Sequence, residues 1–253
     1  MPSYVITGAF RGLGFEMLRQ ISSNPDNTFI ALVRDKPATE KKISEELGGR
    51  KLPLTPPLAP VAGLDYLIAK GAYLRLWDAY YPIGVLGQNP TKLEDEALKL
   101  FKTNIIGNIH LYNYFMPLIL KGQAKKVVAI TSGLSDMEVV RKFDLELTPL
   151  YAITKARLNM LAAKFSAQYK KDGVLFLSIF PGMVEVGHYK DATPEQMEAI
   201  KGMARFLQYV PHFKGPATPE EAVKDVISVW ERASIERGDA GNFVSHHGNK
   251  EWL

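Results

Sequence analysis

The sequence predicts an α/β fold, a parallel sheet doubly wound by helices. Three observations carry that expectation. Short β-prone runs alternate with helix-length amphipathic stretches, the runs are apolar enough to be buried on both faces, and a glycine-rich turn follows the first of them.

In chain order, residues 4–6 form the first strand, and residues 14–23 a helix carrying Met17, Leu18 and Ile21 at helical spacing, with Leu13 just ahead. Residues 28–33 read as a second buried strand and 39–47 as a charged helix closed by Gly48 and Gly49. A strand over 65–69 precedes a long helical stretch over 93–120 and a strand over 126–131. A helix over 151–169 leads to the strand 174–180, which ends at Pro181-Gly182. From 183 to 217 the pattern turns loop-like, then helical, then proline-bearing, the profile of a cover over a site. Thr218-Pro219-Glu220-Glu221 is a capping box with proline at the first helical position, opening a helix to about Ser234, and residues 242–245 supply a last strand. With no internal repeat and no long linker in 253 residues, one domain over 1–253 is expected.

Composition excludes several function classes. Lys plus Arg number 31 against 27 Asp plus Glu, and the excess is scattered rather than blocked, so no nucleic-acid partner is expected. The absence of cysteine removes disulfides, thiolate metal sites and a cysteine nucleophile. The five histidines lack metal-ligand spacing, and no metal is expected. No apolar run approaches the roughly 20 residues that span a bilayer. The chain therefore reads as soluble and cytoplasmic, with no membrane partner.

Thr7-Gly8-Ala9-Phe10-Arg11-Gly12-Leu13-Gly14 lies between a predicted strand and a predicted helix. Glycines in that context permit a tight turn and let backbone N–H groups approach a pyrophosphate at a helix N-terminus. The alternative is a structural glycine turn with no ligand. Twenty residues beyond Gly14, the second strand ends in Arg34, where a cation suits the 2′-phosphate of NADP better than the ribose hydroxyls of NAD. Arg11 adds a second positive charge inside the turn. Asp35 binds ribose instead if the register slips by one, and a merely solvated Arg34 is the plainer alternative.

Tyr151-Ala152-Ile153-Thr154-Lys155 sets a phenol and an ammonium one helical turn apart on one face. A neighbouring cation favours phenolate and lowers a tyrosine pKa toward the range of a general acid. The spacing alone is common, since Tyr66 and Lys70 share it on a predicted strand, where four residues separate side chains by about 13 Å. Ser132 places a hydroxyl at the end of the strand 126–131, where such sheets present ligands, and Asn104 lies within a helix, where a polar side chain needs a reason. By themselves these two also fit a plain turn residue and a solvent-exposed one.

In order, Thr7-Gly-x-x-x-Gly-x-Gly14, Asn104, Ser132, Tyr151-x-x-x-Lys155 and Pro181-Gly182 resemble the short-chain dehydrogenase/reductase family over nearly the whole chain. The resemblance implies a Rossmann-like fold and NADP (NADPH) as cofactor, held by Gly8, Arg11, Gly12, Leu13, Gly14, Arg34, Tyr151, Lys155, Pro181, Gly182 and Val184. It implies that Tyr151 protonates the nascent alkoxide, Ser132 holds the substrate carbonyl, Lys155 binds ribose and lowers the tyrosine pKa, and Asn104 anchors a water for proton relay. It implies a small-molecule carbonyl substrate and a homo-oligomer paired through the helices near 93–120 and 151–169. The ending from Phe243 to Trp252 looks like fungal members resembling carbonyl reductases.

Four departures stand out. The family's Asn-Asn-Ala-Gly run is replaced by Ala69-Lys70-Gly71-Ala72, which the resemblance puts beside the adenine ribose, where a buried ammonium is costly unless it is paired or turned outward. Only 15 residues separate Gly48 from Leu64, too few for a strand and a helix, so the third strand and its helix are expected to be lost or shortened. Phe10 stands where a small residue lies near the phosphates, and Val186 where a threonine bonds the carboxamide. Two readings follow: an NADPH-dependent reductase of a ketone or aldehyde, or a binding or scaffold protein with a weakened cofactor site. A hydrolase lacks its Gly-x-Ser-x-Gly elbow.

Overall fold

Alternation of side chains along each strand decides the layering. Val5, Leu67, Val127 and Phe176 point to one side of the sheet, and their neighbours Ile6, Ile68, Val128 and Leu177 to the other, and both sets are buried. Each face therefore needs a helical layer. The computed structural model describes residues 1–48, 62–74, 76–187, 193–194, 196 and 215–252.

Among these residues the sheet is parallel and six-stranded: β1 (Ser3–Thr7), β2 (Thr28–Leu32), β3 (Tyr66–Ala69), β4 (Lys126–Ile130), β5 (Leu175–Phe180) and β6 (Phe243–Ser245), in the spatial order β2-β1-β3-β4-β5-β6. Connections run outward in both directions from β1 and β3, which makes the crevice beyond their carboxyl ends the switch point where ligands enter such sheets. The strand expected to be lost or shortened would lie within 49–63, most of which is outside the described residues, and among the described residues β2 is at the edge of the sheet. The short 49–63 segment itself is described only from residue 62, and most of the 183–217 cover, with Met203, Phe206, Leu207 and Tyr209, also lies outside the described residues.

The first helical layer holds α1 (Gly12–Ile21), followed in sequence by the charged α2 (Lys36–Glu46) near the β2 edge. Asp35 caps α2 by accepting from the Ala38 N–H at 2.9 Å. Two short helices, α3 (Leu76–Ala79) and α4 (Ile83–Leu86), precede α5 (Pro90–Phe101), and neither is signalled by periodicity. The stretch expected as one helix over 93–120 is α5 and α6 (Gly107–Ile119), joined by a π-helical turn, Lys102–Ile106, that contains Asn104. After β4 come α7 (Met137–Phe143) and the long α8 (Pro149–Tyr169). The predicted capping box is present in both directions on α9 (Pro219–Arg232), whose Val223, Val226 and Trp230 pack with Met17 and Leu18 of α1 against the sheet. On the opposite face α6 and α8 bury Tyr112, Phe115, Ile119 and Ala162. Among the described residues no helix is long and apolar enough to cross a membrane.

Candidate active site

Strand ends bring the site residues together. Gly8 follows β1, Lys70 follows β3, Ser132 follows β4 by two residues, and Pro181 follows β5, all at the carboxyl edge of the sheet.

The glycine turn has the geometry its sequence predicts. Gly8 and Gly12 have φ of +66° and +52°, a region that excludes most side chains, and a Cβ on Gly14 would collide with the Gly8 carbonyl. The N-terminus of α1 has no side-chain cap and no acidic residue in its first turn, so its N–H groups remain available to an anion. Leu13 is buried in the core and offers only its backbone there. Phe10 does not fill the groove floor: it is 39% exposed, with the Lys42 ammonium 5.9 Å from its ring. Val186 does approach the turn, its Cγ1 lying 3.5 Å from where a Gly12 Cβ would stand. Arg34 is exposed and makes no ion pair among the described residues, while Asp35 is committed to capping α2.

Behind the turn, the Thr7 hydroxyl accepts from the Lys70 N–H at 3.0 Å and the Gly71 N–H at 2.8 Å. This clamp, missed by sequence reading, fixes the two residues after β3 against the glycine turn. The Lys70 ammonium reaches the Arg11 carbonyl at 3.5 Å. It is not turned out into solvent, and burial first, then the Arg11 charge, push its pKa down to about 8.

Helix α8 supplies the phenol and the amine. Lys155 is 2% exposed, donates to the Ile130 carbonyl at 2.7 Å and stands 5.5 Å from the Tyr151 ring centroid, as the helical spacing requires. Burial, then the charge of Lys70, push Lys155 down to about 7. The expected lowering of Tyr151 is not what this environment gives. Desolvation by burial raises the phenol well above its ordinary value.

Ser132 is buried, and its Oγ accepts from the Leu134 N–H at 3.3 Å. No hydrogen bond joins the Ser132 and Tyr151 hydroxyls. Asn104 is 1% exposed, not solvated, and its side chain is fully committed: Oδ1 accepts from the Tyr73 N–H at 2.7 Å, and Nδ2 donates to the Tyr73 carbonyl and to Thr154 Oγ1. Its backbone carbonyl accepts from Asn108 Nδ2 at 2.7 Å, a contact alongside which a water would have to be held. Thr154 in turn donates to the Tyr151 carbonyl at 2.8 Å.

A second clamp was invisible in the sequence. Asp78, fully buried on α3, accepts from the Leu150 and Tyr151 N–H groups at 2.9 and 2.8 Å, capping α8 in place of Thr148, whose backbone is left-handed. Near the other end of the site, Ala217 bonds to Met183 and Glu185, so Val184's own amide faces the opposite way, and the His246 ring packs over Gly182.

A family model described as short chain dehydrogenase matches residues 3–197. The chain is 55% identical over 271 residues to the short chain dehydrogenase virK of Hypocrea virens and 49% identical over 272 residues to the short-chain dehydrogenase/reductase iacC of Pestalotiopsis fici, each alignment covering 100% of both chains. In fold it is similar to an NADPH-bound carbonyl reductase from chicken fatty liver, with a TM-score of 0.70, 18% identity and 98% of each chain covered. The chain thus belongs to the short-chain dehydrogenase/reductase family of oxidoreductases.

Proposed function

We propose that the protein is an NADPH-dependent reductase of a ketone or aldehyde borne by a small, apolar molecule, with Tyr151 as general acid. The observation that carries this reading is the buried Lys155 ammonium set 5.5 Å from the Tyr151 ring at the carboxyl end of β4. The left-handed glycines, the uncapped helix N-terminus and the exposed cations Arg11 and Arg34 at the ends of β1 and β2 suit a dinucleotide. Those N–H groups would hold the diphosphate, Arg34 the 2′-phosphate, Lys155 the ribose, and the Val184 backbone the nicotinamide end. When bound, the reduced nicotinamide supplies the hydride.

The chain's own groups manage the oxygen. As negative charge develops on the carbonyl oxygen, the Tyr151 O–H gives it a proton, completing the alcohol. Burial keeps that phenol protonated until a developing alkoxide takes the proton. Ser132 accepts from Leu134 with a lone pair, which leaves its own O–H to donate to the same oxygen. Asp78 and Thr154 hold the Tyr151 backbone at both its N–H and its carbonyl. Exposed Leu98, Tyr114, Ile153 and Met160 on α5, α6 and α8 support a homo-oligomer through those helices. The cysteine-free composition supports the cytoplasm as its place.

The second reading, a binding or scaffold protein of this fold, is favoured by the approach of Val186 and Lys70 to the glycine turn. A nucleotide titration separates the two. At 100 times its Kd, NADPH stabilises the folded protein by about 2.7 kcal/mol, visible in the melting temperature. Absence of a shift with either NADPH or NADH favours the scaffold. With binding established, Tyr151→Phe is expected to lower turnover of a carbonyl panel by about 10²–10⁴-fold with NADPH affinity kept. Undiminished turnover would remove Tyr151 from the acid role.

A further inference from the structure

Lys70 holds its charge in an unusual setting. A strand-end lysine normally extends its ammonium into water or onto a carboxylate. Here the Thr7 hydroxyl fixes the Lys70 and Gly71 N–H groups, and the side chain is laid over the turn, with Cδ 3.5 Å from where a Gly8 Cβ would stand. The ammonium ends beside the Arg11 carbonyl at 3.5 Å, a long contact for a charged donor, and has no carboxylate partner among the described residues. Its charge is felt by Lys155, and it feels that of Arg11. Lys70 and Arg11 thus stand together over the glycine turn that opens into the uncapped N-terminus of α1, with the buried Lys155 ammonium deeper at the same end of the sheet.

Such a cluster is costly in the empty protein, because each ammonium is partly desolvated and repelled by its neighbours. An anion seated among them offsets both penalties by its own attraction and replaces the weak carbonyl contact with a charge-assisted hydrogen bond. Arg34 is placed differently, beyond the end of β2 and exposed, so it and Lys70 address different parts of a ligand. We propose that Lys70, laid over the glycine turn, is a ligand for the diphosphate of the dinucleotide. This inference rests on the reading of the groove as a dinucleotide site.

The test compares wild-type protein with Lys70→Met and Lys70→Gln, measuring Kd for NADPH and for NADH by fluorescence titration and the melting temperature of each ligand-free protein. The diphosphate is common to both nucleotides, so both variants are expected to bind each of them about tenfold more weakly, the equivalent of about 1.4 kcal/mol. Wild-type affinity in either variant overturns the inference. So does tighter binding, which would mark Lys70 as an occupant that nucleotide must displace. A loss confined to NADPH also overturns it, by moving the contact to the 2′-phosphate. If wild-type protein binds neither nucleotide, the reading of the groove fails together with the inference. If it binds and the variants bind equally well, only the inference fails.

Discussion

The two ends of the same strands treat buried charge in opposite ways. At the amino end, Asp65 just before β3 accepts four hydrogen bonds, from the Ser3 N–H and hydroxyl and the Gln123 and Ala124 N–H groups, at 2.7–3.0 Å. Lys126, opening β4, donates to the carbonyls of Trp230, Glu231 and Ala233, each at 2.9 Å, and so closes the C-terminus of α9. At the carboxyl end, Lys155 and Lys70 have one carbonyl apiece and repel each other. The amino end spends its charges on joining elements. The carboxyl end leaves its lysine charges with fewer partners, at a cost to the fold.

The sharpest way to break this contrast is Lys155→Met. In the proposed reductase it should lower turnover by about 10²–10⁴-fold. It should also raise the melting temperature, because a buried ammonium with an incomplete partner set is replaced by an apolar side chain of similar length. The pH dependence gives an independent check. Lys155 has a folded pKa near 7, below its unfolded value, so the unfolded chain binds more protons between those two values. Wild-type stability should therefore rise with pH from about 7 toward 10, and part of that rise should vanish in Lys155→Met. A melting temperature below wild type at pH 7 would show that the ammonium stabilises the fold after all.

Asp65→Asn probes the other end and should act in the opposite sense. The amide leaves N–H groups facing N–H groups, costing about 3 kcal/mol, or roughly 6–12 °C in melting temperature. Turnover per folded molecule should stay within about twofold. Desolvation alone would raise this carboxyl, but the bonds from Ala124, Ser3 and Gln123 outweigh it and hold the pKa below its ordinary value. A lowered folded pKa means the contribution is complete above the unfolded value and is lost as pH falls through the folded one. The gap between wild type and variant should accordingly close in acid. A gap unchanged between pH 7 and pH 3 would show that the carboxylate charge is not what matters.

Local features of the site were legible in sequence, and features made by distant contacts were not. Tyr151 and Lys155 could be paired because helical spacing forces them onto one face, Gly8 and Gly12 because a turn from strand to helix restricts φ, and Gly14 because the turn folds back closely on the helix. The strand order is not written in any segment, yet the alternation of strands and helices leaves few parallel arrangements. Asp78 escaped because its bonds reach 72 and 73 residues along the chain from a four-residue helix too short to show a period. The π turn at Asn104 escaped because its apolar spacing still resembles an uninterrupted helix, while the hydrogen bonds slip by one residue. The direction of Lys70 escaped because it depends on Thr7, a hydroxyl 63 residues earlier.

The smallest effect is also the one that links the two lysines directly. Lys155 is held near pKa 7 chiefly by burial and additionally by the positive charge of Lys70. Removing that charge in Lys70→Met should let Lys155 stay protonated to higher pH, while burial still keeps it below an ordinary lysine. In the proposed reductase, protonated Lys155 assists the nucleotide and Tyr151, so activity falls as pH rises through its titration. The corresponding limb of the kcat/KM profile, which reports the free enzyme, should move to higher pH in the variant even as nucleotide affinity declines. An unmoved limb would mean that the two ammoniums do not sense each other in solution. A limb that moves without loss of affinity would keep the repulsion but deny Lys70 its ligand. Coupling and binding are thus separate readouts of one substitution, and the groove is charged for a ligand only if both respond.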